Sequence, residues 1–322
     1  MKKTIFLVIT TVFIYSGVMA ADASLTGSFH IWATAGLQDV RDVAVASDNS
    51  VYILSGESVR HFDKNGKPLG SWGTKGSKNG QFFKPYSIAV GGNGNVYVAD
   101  SYNNRIQVFN AKGTFLRKWG TEGSGDGQFK KPKGVAVNKN GIVFVADTYN
   151  NRIQVFDSNG KFLRQGGTQG SGTDKKFNYP EDIAVIGNTK VYVLDSSNNR
   201  VQMFSGKGDF IRQWGAIGVA KGQFMYPYGI SLDAGGNVYV LDTYNNRIQK
   251  FSAQGKFLQQ WGSKGKAKGQ FVNPEGIAVD HSGNVFVVDT GNSRMQKLTF
   301  THPKPIEIKK FKMNSAIMYM LY

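Results

Sequence analysis

The sequence predicts an all-β protein: a six-bladed β-propeller of four-stranded antiparallel blades, its ring closed by an N-terminal strand. Three observations predict it. The motif Asp-x-x-Asn-(Asn/Ser)-Arg-x-Gln occurs five times, and its arginines, Arg105, Arg152, Arg200, Arg247 and Arg294, stand 47, 48, 47 and 47 residues apart. Each copy lies within a run of four short strand patterns, and a period of this length with four strands per unit is that of a propeller. The 322 residues include 40 glycines, which suits many tight turns. The chain is also longer than one ordinary hydrophobic core usually serves. It contains no cysteine, which excludes disulfides, thiolate nucleophiles and sulfur-ligated metals.

Taken from the N-terminus, residues 1–20 read as a signal peptide. Lys2 and Lys3 precede an apolar run, and small residues lead to Ala20, after which cleavage is expected. The run is short for a bilayer span. Residues 21–300 form the propeller and 301–322 a basic, then apolar tail. The mature chain is expected to be exported, to the periplasm or beyond the cell, as a monomer with no transmembrane span. Gly27-Ser-Phe-His-Ile-Trp32 has the pattern of an outermost strand and is the candidate to complete the sixth blade, with 306–311 in the tail as its rival. Closure from either end removes the open sheet edge.

The first unit is a weak copy at 51–62. The next five are close copies. In the fifth, Gly229-Ile-Ser-Leu232, Asn237-Val-Tyr-Val-Leu241, Arg247-Ile-Gln-Lys-Phe251 and Lys256-Phe-Leu-Gln-Gln-Trp261 are four strand patterns separated by turn sequences. Gly-Gln-Phe begins at Gly80, Gly127, Gly222 and Gly269, shortly before Pro85, Pro132, Pro227 and Pro274; the third connection departs, with Lys175-Lys-Phe177 before Pro180. Trp72, Trp119, Trp214 and Trp261 close the fourth strands, where the third blade has Gly166.

The pattern W-G-x-x-G-x-x-x-G-Q-F-x-x-P-x-G-I-A-V, then N-V-Y-V-x-D-x-x-N-N-R-I-Q, resembles NHL repeats over about 27–300. The resemblance implies a six-bladed propeller. Members of this group include extracellular sensor domains, RNA-binding propellers of tripartite-motif proteins and a peptidyl amidoglycolate lyase. The lyase branch uses a histidine-ligated zinc. The four histidines here, His30, His61, His281 and His302, have no zinc-ligand spacing and none is expected at the channel mouth, so that activity is not carried over.

The repeated motif reads as structure, because a ligand site needs a constellation once whereas a repeat needs the same fastening in every blade. Asp100, Asp147, Asp195, Asp242 and Asp289 are expected to hold their turns with Arg105, Arg152, Arg200, Arg247 and Arg294. As exposed pairs these would contribute up to about 1 kcal/mol each. The tyrosines of the motif, Tyr102, Tyr149 and Tyr244, are Ser197 and Gly291 in other copies. They are either exposed stacking surfaces or rings packed on the next blade.

Functional residues are expected on the face shared by these turns and the interblade connections. Lys75, Lys78, Lys131, Lys133, Lys264, Lys266 and Lys268 gather there, consistent with the net charge of +17. With Tyr86, Tyr228 and the motif tyrosines they suit a protein, glycan or anionic polymer, or else form a solvated surface. Nucleic acid is disfavoured by export. Two residues before each innermost strand should ring the channel mouth: Arg41-Asp42, Tyr86-Ser87, Lys133-Gly134, Glu181-Asp182, Tyr228-Gly229 and Glu275-Gly276. Asp42, Glu181, Asp182 and Glu275 either bind a hard cation such as Ca²⁺ or pair with Arg41 and Lys133. Pairing is the simpler reading and leaves no cofactor. The function expected is a non-catalytic binding scaffold; the alternatives are a carboxylate–metal hydrolase or lyase at the mouth, and an RNA-binding propeller if the chain is not exported.

Overall fold

The structure, a computed structural model, describes residues 26–33, 37–172, 174–301, 308–313 and 316–321. The expected signal peptide and its cleavage point lie outside these residues. Two compact units separate: Gly27–Phe300, and Met1–Thr26 with Thr301–Tyr322.

The larger unit is a ring of six four-stranded sheets. Blade 1 comprises Val40–Val45, Val51–Ser55, Ser58–Phe62 and Pro68–Trp72. Blade 2 comprises Ser87–Val90, Val96–Asp100, Arg105–Phe109 and Phe115–Trp119, and blade 3 Val135–Val137, Val143–Asp147, Arg152–Phe156 and Phe162–Gly166. Blade 4 comprises Pro180–Ile186, Lys190–Asp195, Arg200–Ser205 and Phe210–Trp214, and blade 5 Gly229–Leu232, Val238–Asp242, Arg247–Phe251 and Phe257–Trp261. Blade 6 takes three strands from Ile277–Val279, Val285–Asp289 and Arg294–Thr301, and its outermost from Thr26–Ala33. The N-terminal segment therefore closes the ring as the Phe-x-x-Trp pattern predicted. The tail's Ile308–Met313 pairs instead with Ala316–Leu321 as an antiparallel hairpin.

Innermost strands contact one another in order around the ring, blade 6 returning to blade 1. Second strands such as Val96–Asp100 are buried at every residue, because neighbouring blades cover both faces; outer strands such as Phe115–Trp119 keep the alternation of a half-exposed sheet. The phenylalanine of each connection, Phe82, Phe129, Phe177, Phe224 and Phe271, is at most 1% exposed and plugs the seam between blades. Burying each ring contributes on the order of 2–3 kcal/mol. The fit requires the glycine after the tryptophan: Gly120 has φ +104°, and a Cβ there would stand 2.6 Å from Phe129.

The innermost strands are not equivalent. Those of blades 1 and 4, opposite each other in the ring, are the long ones at six and seven residues, and each carries a bulge where Arg41 and Glu181 stand. A bulge re-aims side chains, and these two flank the mouth.

Candidate functional site

The repeated motif is consumed by the fold. Asp147 is fully buried. Its Oδ1 accepts from the Lys130 amide at 2.8 Å, and its Oδ2 from Asn150 Nδ2 at 2.9 Å, Arg152 Nε at 2.7 Å and Gln154 Nε2 at 3.1 Å. Arg152 donates further to the carbonyls of Ser124, Gly125 and Gln128. The same buried pair stands at Asp100–Arg105, Asp195–Arg200, Asp242–Arg247 and Asp289–Arg294, with Asp fully buried and Arg 6–12% exposed. The small energy expected of an exposed pair therefore does not apply; breaking a buried one costs several-fold more.

The rest of the motif reaches the next blade. Thr148 Oγ1 donates to the Pro180 carbonyl at 2.8 Å. Asn151, left-handed at φ 52°, accepts the Tyr179 amide through Oδ1 at 2.9 Å. Asn104 and Asn199 do the same for Lys131 and Tyr226. These accepted residues precede prolines and are themselves left-handed, as is Lys84 (φ 44–50°), a conformation that costs a side-chain-bearing residue energy. The asparagine bond anchors it. The motif tyrosine takes no part in this network, and Tyr149 and Tyr244 are 37% and 53% exposed.

With the half-buried Tyr102, these exposed rings form an arc with lysines. Lys131 Nζ lies 4.6 Å from the Tyr102 ring centroid and 5.0 Å from that of Tyr149, and Lys84 lies 5.0 Å from Tyr102. Phe83 packs on Tyr102, and Lys75 stands over Phe83. Tyr149 meets Tyr179 edge-on at 5.1 Å, and Tyr244 contacts both Tyr226 and Tyr228. Among the described residues neither Lys84 nor Lys131 forms an ion pair.

Tyr228 leads into the channel mouth. There Arg41, Tyr86, Lys133, Glu181, Tyr228 and Glu275 line one cavity of about 30 Å³, floored by Asp42, Ser87 and Asp182. That is room for about one water molecule. Lys133 Nζ pairs with Glu181 at 2.8 Å and stands over the Tyr86 ring at 4.6 Å. Arg41 pairs with Glu275 at 3.0 Å and with Asp39 at 2.7 Å. Asp42 and Asp182 take backbone amides instead: Asp42 accepts from Val43 and from Ile88 of blade 2, Asp182 from Ile183 and from Ile230 of blade 5. Each carboxylate thus ties its innermost strand to the next. Below this floor a channel of about 240 Å³ continues between the innermost strands.

The NHL-repeat family profile matches residues 84–109, 129–156, 177–204, 224–251 and 271–298, the first three strands of blades 2 to 6. The chain is an NHL-repeat β-propeller. Blade 1, with its shortened turn, lies outside the matched residues. No curated protein matches the sequence. Solved structures share its fold at low identity. Virginiamycin B lyase from Staphylococcus aureus is 15% identical, with TM-score 0.59, covering 92% of this chain and 96% of its own; a His→Ala variant of that lyase is catalytically inactive. A gluconolactonase from Xanthomonas campestris is 11% identical, with TM-score 0.63 and coverage of 85% and 90%. An auxiliary nutrient binding protein from Bacteroides thetaiotaomicron is 13% identical, with TM-score 0.65 and coverage of 86% and 77%.

In this NHL propeller the six expected mouth positions do converge, but their acids divide. Glu181 and Glu275 are held by cations, while Asp42 and Asp182 face backbone donors, and among the described residues no group of three or more His, Asp or Glu side chains is placed to hold a metal ion. Among the described residues no histidine lines the mouth. On the outer face Tyr86, Tyr102, Lys131, Lys133, Tyr149, Tyr228 and Tyr244 are brought together, and Lys75 joins through Phe83. Lys78, Lys264, Lys266 and Lys268 are exposed, and none has a ring contact among the described residues. Sequence reasoning missed Tyr179 and Tyr226. Their signal was available: both immediately precede the proline of a connection, at the position that holds Lys84 and Lys131 in blades 1–2 and 2–3.

Burial sets the titration of the mouth. Desolvation pushes Asp42 up to about 7, and pushes Asp182 up as well, with the charge of Asp42 adding to it. Burial also raises Glu181 against the pull of Lys133, and Glu275 against that of Arg41. Burial works against the charge on Lys133, but Glu181, helped by Tyr86 and Tyr149, outweighs it and raises the group. An aspartate whose native pKa lies above its unfolded value of about 4 favours the native state most below that value, and the benefit is lost as pH rises through the native pKa. Stability is therefore expected to fall from this pair as pH rises from about 4 to about 7. Asp42→Asn should flatten that slope whatever its absolute stability, as urea-unfolding midpoints across the range would show; an unchanged slope contradicts the assignment.

Proposed function

We propose that this NHL propeller is an exported, non-catalytic binding module that holds an anionic polymer, an acidic glycan, along the tyrosine–lysine arc running from Tyr102 to Tyr244 past the channel mouth. The observation that carries the reading is Lys131, with its ammonium between two rings and, among the described residues, no carboxylate partner. Such an arrangement offers a cation to an acidic group and flat faces to the sugar on either side. Tyr179 and Tyr226 support it: they stay 39% and 43% exposed and add flat faces beside Tyr149 and Tyr244. A catalytic reading at the mouth has less behind it. The cavity admits about one water, its glutamates are already paired, and among the described residues its lining has no histidine, the residue type whose loss inactivates the lyase of the same fold.

The test is titration of the chain beginning at Ala21 with an acidic polysaccharide, polygalacturonate, and with neutral dextran, at low and high salt. Polygalacturonate should bind, more weakly at high salt, and dextran should not. Tyr149→Ala is expected to lower affinity by about tenfold or more, from the roughly 1–3 kcal/mol of a stacking ring. Lys131→Ala should lower it too and reduce the salt dependence. Binding that ignores both substitutions, or that is abolished by chelator, contradicts the proposal; the second result would return attention to Asp42, Glu181, Asp182 and Glu275.

A further inference from the structure

The outer strand of blade 3 departs from the repeat at its last position. In blades 1, 2, 4 and 5 the outer strand ends in tryptophan, opposite Val59, Ile106, Val201 and Ile248 on the third strand. In blade 3, Gly166 stands opposite Ile153. Trp72, Trp119 and Trp214 lie flat against a glycine in the outer turn of the next blade; a Cβ on Gly113, Gly160 or Gly255 would fall 2.5–2.6 Å from the indole. The corresponding glycine beside blade 3, Gly208, has open space around it.

What remains is a cavity of about 120 Å³ between blades 3 and 4. Its walls are apolar: Phe144, Ile153, Val155, Phe177, Val193 and Phe204. Ile153 keeps 8% of its surface exposed, where Ile106, Val201 and Ile248 keep none. An apolar cavity of roughly this size stays dry and accepts a benzene-sized ring, and this one opens at Gly166 for a larger ring to extend outward. The occupied seams define the shape of the guest. They hold a planar indole, and the indole N–H of Trp72, Trp119 and Trp214 has no hydrogen-bond partner, so the slot asks for a flat ring and not for a buried polar contact. The rim has a charge of one sign. Arg164, Lys175 and Lys207 line it, and Arg164 is oriented by donating to the Gly206 carbonyl at 2.6 Å.

We propose that this seam is a binding site for a small planar aromatic carboxylate, its ring system in the slot vacated by tryptophan and its carboxylate at Arg164, Lys175 and Lys207. The apolar walls supply the affinity, and charge-assisted hydrogen bonds at the rim select the anion. Gly166 is compatible with a side chain: it is not left-handed, and a Cβ there meets nothing within 4 Å. The block can therefore be built into the protein.

The experiment is calorimetric titration of the chain beginning at Ala21 with indole-3-acetate, neutral indole and cyclohexanecarboxylate. It is paired with NMR detection of contacts between ligand ring protons and the methyl groups of Ile153, Val155 and Val193. Indole-3-acetate should bind at one site, more tightly than either comparator, with contacts to those methyls. Gly166→Trp should abolish binding, and Arg164→Gln should weaken the acid about tenfold, the worth of a charged hydrogen bond, while leaving neutral indole unchanged. Absence of binding, contacts elsewhere, or equal affinity for indole and indole-3-acetate overturns the proposal. The NMR contacts are read on the unaltered protein, so the outcome does not depend on either variant folding.

Discussion

Asp147→Ala is expected to destabilise the propeller by about 3–5 kcal/mol, the cost of leaving a buried cation without its partner. The substitution removes the acceptor for four donors at once: the Lys130 amide, Asn150, Arg152 and Gln154. Arg152 is left 8% exposed on its side chain with carbonyl partners but no counter-charge. Asp147→Asn should lose less, since one carboxamide oxygen can still accept. Asp63, a turn aspartate that accepts from Asn65 and Lys67, is the control: Asp63→Ala should move the unfolding midpoint far less. Urea unfolding of the three variants decides it. If Asp147→Ala costs no more than Asp63→Ala, the motif is not the buried fastening described above. The equivalent substitutions at Asp100, Asp195 and Asp242 should behave alike, because each makes the same bonds.

The second large effect has the opposite sign. Gly166→Trp should stabilise the chain by about 2–3 kcal/mol, taking a cavity of about 120 Å³ at roughly 24 cal/mol per Å³. The neighbouring blades have already solved the packing: in each, the indole sits between the third-strand residue opposite it and the next blade's glycine. Blade 3 retains both partners, Ile153 and Gly208. Thermal unfolding, with a midpoint raised by several degrees, is the measurement. A lowered midpoint would mean that the seam between blades 3 and 4 has closed on a different shape and that the indole overpacks it.

These two residues also mark where the sequence was readable. The Asp–Arg spacing, the tryptophans and the Gly-Gln-Phe segments were legible because they repeat, and a repeat turns one weak signal into five agreeing ones. That Asp147 and Arg152 are buried was not legible: their positions at a turn suggest exposure, and burial comes from the preceding connection folding back over them. The mouth positions were legible for the same reason as the repeat. Aligning the blades placed Arg41, Tyr86, Lys133, Glu181, Tyr228 and Glu275 at one level of the ring. Which acid met which cation depended on the bulges of blades 1 and 4, which turn Arg41 and Glu181 toward the cavity and leave Asp42 and Asp182 to the amides below. Bulges have no strong sequence signature. Gly166 was visible as a departure from the pattern, but the volume behind it is walled by the following blade as well as its own, a packing that local sequence does not register.

The outer face shows the same division. Lys131, Lys133 and the motif tyrosines were found because lysine and tyrosine recur near fixed landmarks. Lys264, Lys266 and Lys268 were grouped with them by composition, although in the structure no ring contact joins them to the arc among the described residues. Tyr179 and Tyr226 have no mark in local propensity, because a residue before proline is expected to be extended. Their left-handed backbone depends on an asparagine about 27 residues earlier in the preceding blade, a contact that local propensity does not register.

The central claim is that the arc from Tyr102 to Tyr244 is a binding surface. Its most direct test is hydrogen–deuterium exchange of the chain beginning at Ala21 with and without bound polygalacturonate. Added protection is predicted in the connections carrying Lys84, Lys131, Tyr179 and Tyr226 and in the turns at Tyr102, Tyr149 and Tyr244, with the outer turns at Asn110–Gly113 and Asp157–Gly160 unchanged. Protection spread evenly over exposed lysines, Lys264, Lys266 and Lys268 included, would mean that charge alone attracts the polymer and would contradict the assignment of this face.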